Sequence, residues 1–274
     1  MASCYNNLSG IYQDMGNLLQ ALNLQLKAIE IKEKVLTPDH PDLAASYCNL
    51  SQIYQDMGNF PQALDFQLKA TLLWEKVLSA DHPDLASSYN NLSTIYRDMG
   101  NLSQALDFQL KAVEIREKAL EPNHPDRAQS YNNLSAIYLN LGNLSQALDF
   151  QLKAIGIWKK ILYPDHPSLA ASYNNFSAIY RNMGNLPKAL GFQLKAKEIQ
   201  EKIQDRNHPQ LASCYNNLCS IHFEMKDYGK AGFYINKAVG IYKKSLPKEH
   251  PNIQIALDWQ KLVEEKLKKT TSHP

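Results

Sequence analysis

The feature that most constrains this chain is a segment that returns in close copies at a fixed interval of 42 residues. One copy, His82 to Ser93, reads His-Pro-Asp-Leu-Ala-Ser-Ser-Tyr-Asn-Asn-Leu-Ser. The same interval separates the histidines His40, His82, His124, His166, His208 and His250, the asparagines Asn7, Asn49, Asn91, Asn133, Asn175 and Asn217, and the alanines Ala21, Ala63, Ala105, Ala147, Ala189 and Ala231. A fixed period of roughly 20 to 50 residues predicts a solenoid, in which each unit buries its apolar face against its neighbours.

The second copy shows how one repeat is built. Pro41 suits the first turn of a helix because its missing N–H would be unpaired there, and this helix is predicted to continue to about Met57. Gly58 permits a left-handed cap, and a second helix is predicted from near Pro61 to about Leu78. Apolar positions follow three- and four-residue steps, at Leu43, Tyr47, Leu50, Ile53 and Tyr54 in the first helix and at Ala63, Phe66, Ala70, Leu73, Trp74 and Val77 in the second. The pattern predicts an antiparallel helix hairpin in every repeat.

Six such units are predicted over residues 1–249. The first unit lacks the His-Pro opening and starts at a position equivalent to Leu43, which predicts a short, uncapped first helix. The sixth unit diverges most, with Lys226 and Asp227 in place of the glycine and asparagine of the other units and His222 in place of a tyrosine. Residues 250–274 are predicted to form a capping helix, from Asn252 to about Lys269, and a short disordered tail, because terminal solenoid units need a polar outer face.

Seven spaced residues of the third unit resemble the motif of a known family. Tyr89, Leu92, Ser93, Tyr96, Gly100, Ala105 and Ala112 reproduce the spacing of the tetratricopeptide (TPR) motif. The 42-residue period, the Asp-His-Pro-Asp linker and the Asn-Asn-Leu pair resemble the kinesin-light-chain type of TPR over essentially the whole chain. One departure stands between the two alanines of the second helix, where a glutamine replaces the usual aromatic at Gln67, Gln109, Gln151 and Gln193, and the aromatic lies one residue earlier.

The resemblance implies an all-α, right-handed superhelical solenoid whose concave surface is lined by the first helix of each hairpin and binds an extended segment of another protein. On the face opposite the apolar stripe, three- and four-residue steps give Ser87, Asn91, Thr94 and Asp98 in the third unit. Equivalent stripes in the other units contain amides set among small residues. The candidate peptide-binding residues are Asn49, Asn90, Asn91, Asn132, Asn133, Asn174, Asn175, Asn217, Asp56, Asp98, Arg97 and Arg181.

The asparagines suit this role because a side-chain amide offers both donors and an acceptor, which match the C=O and N–H of a peptide backbone. Asparagine inside a helix is also less favourable than alanine by roughly 0.5 to 0.7 kcal/mol, so two in each unit lower helix stability. The structural alternative is that these amides bond neighbouring helices, or persist from recent duplication of the repeat. Both interpretations stay open at the level of sequence.

The end of the stripe differs in charge along the chain. It is acidic at Asp14, Asp56 and Asp98 and neutral at Asn140 and Asn182. A basic segment is therefore expected to prefer the N-terminal half, unless these residues are only solvated helix ends. TPR domains that bind chaperones hold a C-terminal carboxylate with Lys and Arg, and this stripe has Asn, Ser and Ala at those places, which argues against that class of partner.

Composition excludes several other classes. With 29 Lys+Arg against 27 Asp+Glu, the chain has no strongly basic field, so no nucleic-acid partner is expected. No apolar run reaches the roughly 18 residues of a membrane span, no signal peptide is visible, and the four cysteines form no CxxC pair, so a cytoplasmic protein with reduced thiols is expected. Equivalent histidines in stacked units are too far apart to share a metal. No catalytic motif is present, and neither a cofactor nor enzymatic activity is expected.

Three functional hypotheses remain. The first is a non-enzymatic scaffold that binds an extended peptide in the concave groove, which predicts that Asn91→Ala with Asn133→Ala abolishes binding and leaves helicity and melting intact. The second is end-to-end self-association through the uncapped first hairpin, because units this similar could stack. The third is a regulatory or sensor part of a larger signalling protein, a common setting for arrays of this kind.

Overall fold

The computed structural model describes residues 1–203 and 205–271, and within them all regular structure is helical. The helices form an all-α array of the predicted kind, with thirteen helices in the described part of the chain. In order they are α1 (Ala2–Asp14), α2 (Leu18–Val35), α3 (Pro41–Asp56), α4 (Phe60–Val77), α5 (Pro83–Asp98), α6 (Leu102–Ala119), α7 (Pro125–Asn140), α8 (Leu144–Ile161), α9 (Pro167–Asn182), α10 (Leu186–Ile203), α11 (Pro209–Glu224), α12 (Tyr228–Ser245) and α13 (Pro251–Thr271). We call α1, α3, α5, α7, α9 and α11 the first helices and the even-numbered helices the second helices.

The turn between the two helices of a repeat depends on one backbone conformation. Gly58 has a φ of +74°, in the left-handed region that favours glycine. That conformation allows the N–H of Asn59 to reach the carbonyl of Tyr54 at 2.8 Å, which closes the end of α3. The Asn59 side chain then accepts from the N–H of Gln62 and begins α4.

The chain divides into two compact units, and the first is Met1–Leu141. In it α1–α2, α3–α4 and α5–α6 pack as hairpins, and each of α3, α5 and α7 packs on the second helix before it. The interior of the third repeat is typical, since Leu92, Ala105 and Ala112 are fully buried. The rings of Tyr96 and Phe108 stack with their centroids 5.5 Å apart. The predicted alanine stripe therefore is the line along which paired helices approach.

A buried serine sets how closely the two helices of a hairpin approach. The Oγ of Ser93 donates to the carbonyl of Ala105 at 2.7 Å, across the α5–α6 interface. Ser9, Ser51 and Ser177 make the same bond to Ala21, Ala63 and Ala189. A larger side chain at this position would hold the helices apart, which explains the small residue in the repeat.

The second unit is Gly142–Pro274. Here α9–α10 and α11–α12 are hairpins, α9 packs on α8, and α11 packs on α10. The final helix, α13, covers α12 with Ile253, Ala256 and Val263, all of which are buried. The exposed residues of α13 include the charged Lys261 and Glu265 and also the apolar Ile255 and Leu262.

Three details differ from the sequence-based predictions. Val77, assigned to the buried side of α4, is 40% exposed, because it lies in the last turn beyond the hairpin contact. Gln67, which the predicted buried side of α4 did not include, is buried between Ala63 and Ala70, whereas the predicted Phe66 is half-buried. The predicted tail begins too early, since the helix includes Thr270 and Thr271; residues 272–274 lie outside the described part of the chain.

None of the described helices has the length and apolar character needed to cross a membrane.

Candidate functional site

The amides selected from the sequence lie along the first helices and are partly open to solvent. In Met1–Leu141, Asn49 is exposed and Asn90, Asn91, Asn132 and Asn133 are half-buried. In the second unit, Asn174, Asn175 and Asn217 are half-buried. We call these eight asparagines the amide row of their unit, because α3, α5 and α7 in the first unit and α9 and α11 in the second carry them at equivalent positions of the repeat.

In the first unit, hydrogen bonds join asparagines of consecutive first helices. Asn133 Nδ2 donates to Asn90 Oδ1 at 2.8 Å, and Asn49 Nδ2 donates to Asn6 Oδ1 at 3.0 Å. In both pairs the partners are 43 residues apart, so the bond joins consecutive first helices. The row thus has a structural role, which was one of the two interpretations left open above.

A second row, of buried glutamines, supports the first. The glutamines occupy the departure from the TPR motif noted above and are at most 1% exposed, at Gln25, Gln67, Gln109, Gln151 and Gln193. Gln109 Nε2 donates to Asn90 Oδ1 and to the Ser130 carbonyl, both at 3.3 Å. Gln193 Nε2 donates to Asn174 Oδ1 at 2.8 Å. The amides of Asn90 and Asn174 are therefore each hydrogen-bonded to the second helix of their own repeat, which fixes their orientation.

In the second repeat, Cys48 occupies the position that Asn90 has in the third repeat. Its thiol lies 3.1 Å from Gln67 Nε2, so the sulfur makes the contact that an amide oxygen makes elsewhere. Burial raises the pKa of the Cys48 thiol to about 11, against the opposing effect of hydrogen bonds with Gln67 and Asn91. The sulfur is consequently a neutral thiol at physiological pH and serves as a packing and hydrogen-bonding group.

The charged residues at the end of the row are paired across repeats. Asp56 accepts from Gln13 Nε2 at 2.6 Å, and Asp98 accepts from Gln55 Nε2 at 3.0 Å and from the adjacent Arg97. In the second unit Arg181 Nε donates to Glu224 at 2.7 Å. Both aspartates lie at the surface, and Asp98 already has a cationic partner in Arg97, whereas among the described residues Asp56 is bonded only to amides.

Clefts open beside the row where small side chains occur. In the first unit a cleft of about 440 Å³ is bordered by Asn6, Gln13 and Asn49. In the second unit a cleft of about 360 Å³ is bordered by Ala171, Asn174, Gln200 and Ser213. The buried Oε1 of Gln200 has no donor within hydrogen-bond distance among the described residues.

The six His-Pro histidines have a role that the sequence analysis did not identify. In each, Nδ1 accepts the backbone N–H two residues later, as in the 3.2 Å bond from Asp84 to His82. The others are His40, His124, His166, His208 and His250. They cap the helix N-terminus, a role usually held by Ser, Thr, Asp or Asn. Among the described residues no cluster of three or more His, Cys, Asp or Glu could hold a metal ion.

This arrangement, helix hairpins at a fixed period that present a repeated row of side chains, defines a helical repeat protein of the kind used for protein interaction. The sequence profile of the tetratricopeptide repeat family matches residues 1–71, 50–118, 95–160, 126–196 and 168–244. The chain belongs to the tetratricopeptide repeat family. No curated protein is similar to it in sequence.

Solved structures agree with this assignment. The chain is similar to a kinesin light chain candidate of Podosopora anserina with nearly identical TPR-like repeats, at 27% identity, a TM-score of 0.62 and coverage of 74% of this chain and 96% of that one. BtubC (BKLC) from P. vanneervenii matches at 20% identity and a TM-score of 0.68, over 85% of this chain and 94% of that one. The apo form of RapI matches at 14% identity and a TM-score of 0.67, over 99% of both chains. The last two show the fold alone.

Proposed function

We propose that the chain is a non-enzymatic scaffold that binds an extended peptide segment of a partner protein along the amide row. The observation that carries the proposal is the row itself, a set of partly exposed amides at two adjacent positions of the first helices, with clefts beside it. Family membership supports the general role, because TPR arrays are a protein-interaction fold. A reducing compartment such as the cytoplasm suits the four free cysteines.

The bonds within the row leave capacity for a ligand. Asn133 uses one N–H for Asn90, and its Oδ1 accepts from Gln129 at 2.9 Å. An amide has two N–H donors and two acceptor lone pairs, so one of each is left at Asn133. The bond to Asn90 already holds the Asn133 amide in place. Binding a peptide there therefore costs little side-chain entropy at Asn133.

The negative charges beside the amide row are unevenly distributed between the two units. Asp56 is exposed in the first unit, where Asp98 is paired with Arg97, whereas the equivalent positions in the second unit are the neutral Asn182 and Glu224, which is paired with Arg181. We therefore expect a peptide with Lys or Arg to bind more tightly to residues of the first unit, and the preference to weaken with salt.

Screening an unstructured-peptide library against the purified chain and the Asn91→Ala/Asn133→Ala double variant tests the proposal. Selective peptides should lose binding in the double variant. A matched control is Gln104→Ala/Gln146→Ala, which removes two exposed amides from second helices and should bind as the unchanged chain does. Equal binding by both double variants would exclude the amide row as the working surface.

Self-association is a second candidate, because the first helix has an uncovered apolar face. Leu8 and Ile11 are 40% and 55% exposed, whereas the equivalent Leu50 and Ile53 of the next repeat are fully buried. A second copy that covered this face would remove it from water. Light scattering across a concentration series should then show a dimer that Leu8→Gln/Ile11→Gln makes monomeric, while Leu72→Gln has no effect. A monomer at every concentration excludes this function.

A further inference from the structure

A separate groove in the second unit has the character of an anion site. The end of α10, the loop before α11, and α11 and α12 enclose about 590 Å³. Its floor includes the apolar side chains of Leu211 and Ile241, and its rim includes Arg206, Lys237 and Lys244. None of these residues belongs to the amide row, so this groove is separate from the proposed peptide groove.

The groove has an excess of positive charge. Three cationic side chains face a single carboxylate, that of Glu201. Glu201 is already engaged, because it accepts from the Tyr215 hydroxyl at 2.8 Å and pairs with Lys197 at 3.1 Å. Lys237 lies over the rings of Tyr215 and Phe233, with Nζ 5.1 Å and 4.7 Å from their centroids. The aromatic faces hold the ammonium group at the groove without neutralising it.

Comparison with earlier repeats shows which acidic partners of Lys244 are missing in the described part of the chain. The equivalent Lys202 pairs with Asp165 at 2.9 Å and with Glu198 at 3.3 Å. Lys118 likewise pairs with Asp81 and Glu114. At the corresponding places the sixth repeat has Asn207 and Gly240. Two acidic residues are thus replaced by a neutral amide and by a glycine, and both replacements border the groove.

We propose that this groove binds a phosphate monoester carried on a side chain of a peptide. A phosphate monoester is close to a dianion at neutral pH, which matches the two positive charges in excess, and its three oxygens can accept from a guanidinium, two ammonium groups and the amide of Asn207. The apolar floor suits the carbon chain that bears the phosphate. A carboxylate carries half the charge and fewer acceptor sites.

Gly240→Glu is the most informative variant. It restores the residue that α2, α6 and α10 have at this position, at Glu30, Glu114 and Glu198, and places a carboxylate one helical turn before Lys244. A Cβ at Gly240 meets no atom within 4 Å, so the variant should fold. Gly156→Glu makes the same change at the equivalent place in α8, where a Cβ also has open space, and serves as the matched control.

Isothermal titration of the whole chain with a short acetylated alanine peptide bearing a central phosphoserine tests the proposal. Binding should be about 10-fold to 100-fold weaker in Gly240→Glu and in Lys244→Ala, because charge-assisted hydrogen bonds are lost. It should be unchanged in Gly156→Glu, and helicity should be equal in all three. The unphosphorylated peptide and a peptide with central glutamate should bind at least about 10-fold more weakly than the phosphopeptide.

Inorganic phosphate distinguishes the source of the anion. If inorganic phosphate binds as tightly as the phosphopeptide, the peptide carrier is wrong. If the phosphopeptide does not bind the unchanged chain, or binds it and Gly240→Glu equally well, the groove is not the phosphate site and the proposal is overturned.

Discussion

Asn133 Nδ2 donates a 2.8 Å hydrogen bond to Asn90 Oδ1, which lies on the preceding first helix. The same Oδ1 accepts from Gln109, a fully buried residue of α6. One amide oxygen therefore joins three helices, α5, α6 and α7. Gln109 thus donates through its Nε2, whereas its buried Oε1 has no hydrogen-bond partner among the described residues.

Truncating Asn90 tests this role. Asn90→Ala removes the acceptor of both bonds and leaves a buried glutamine N–H with one partner fewer, which should lower the free energy of unfolding by about 1 to 3 kcal/mol. Urea unfolding followed by circular dichroism measures the change. The control is Asn23→Ala, an exposed residue of α2, which should be neutral or slightly stabilising because alanine favours helix. Equal midpoints for the two variants would show that the linkage contributes nothing.

The same bond revises one expectation drawn from the sequence. Asn91→Ala with Asn133→Ala was expected to leave melting intact, but Asn133 is one partner of the inter-repeat bond. We now expect the double variant to melt at a lower temperature than the unchanged chain while it stays helical. Peptide binding must therefore be measured well below the melting transition.

The histidine caps give a second prediction. His82 Nδ1 accepts the N–H of Asp84 at the start of α5, so His82→Ala should cost about 1 kcal/mol of stability, the usual value for a lost helix cap. His82→Asn keeps an acceptor at the same place and should restore most of the loss. Thermal melting of the two variants checks this, and a His82→Asn variant as unstable as His82→Ala would contradict the capping role.

Helix positions were predictable because their signals are local. Pro41, Gly58 and Pro61 act through their own backbone, and they place the ends of α3 and α4 within about one residue of the prediction. The prediction that these positions of the apolar stripe are buried is also confirmed at Leu43, Leu50 and Ile53. The repeats made the prediction of helix ends firmer, because a wrong helix end in one unit would have disagreed with the same signals in the other units.

The polar interior could not be read in the same way. The sequence did not show why a glutamine stands at Gln67, because its hydrogen-bond partners, Cys48 and Ser88, lie on two different helices that only the fold brings together. The signal was present in the 42-residue recurrence of glutamine on the buried side of the second helix. The role of the amides as ligand donors depends on a partner, so it stays a prediction.

The turn of the sixth repeat gives a third prediction. Lys226 has a φ of +62°, where the other units have glycine, and a lysine in the left-handed region is strained by roughly 1 kcal/mol. Lys226→Gly should therefore raise the free energy of unfolding by up to about 1 kcal/mol, measured by urea denaturation. Gly100→Lys makes the opposite change in the third repeat, where φ is +80°, and should destabilise. A destabilised Lys226→Gly variant would show that the side chain contributes more than the strain.

The last prediction concerns His222, which replaces the tyrosine that stacks on a phenylalanine in earlier repeats. Its ring lies 5.5 Å from that of Tyr234, it is only 4% exposed, and its Nδ1 lies 3.6 Å from Asp227. Burial lowers the pKa of His222, and the nearby Lys230 lowers it further, while Asp227 opposes the change. The folded chain therefore holds this imidazole neutral at a pH where the unfolded chain has already bound a proton.

The sign of the pH dependence follows from that difference. Above about pH 6.5, the ordinary pKa of histidine, both states are neutral and the stabilising contribution is complete. As the pH falls below 6.5 toward the lowered pKa, the unfolded state binds the proton first and stability is lost. His222→Tyr has no such group, so its melting temperature should fall less than that of the unchanged chain when the pH is lowered from 7.5 to 5. Parallel melting curves across that range would exclude His222 as a source of the acid sensitivity.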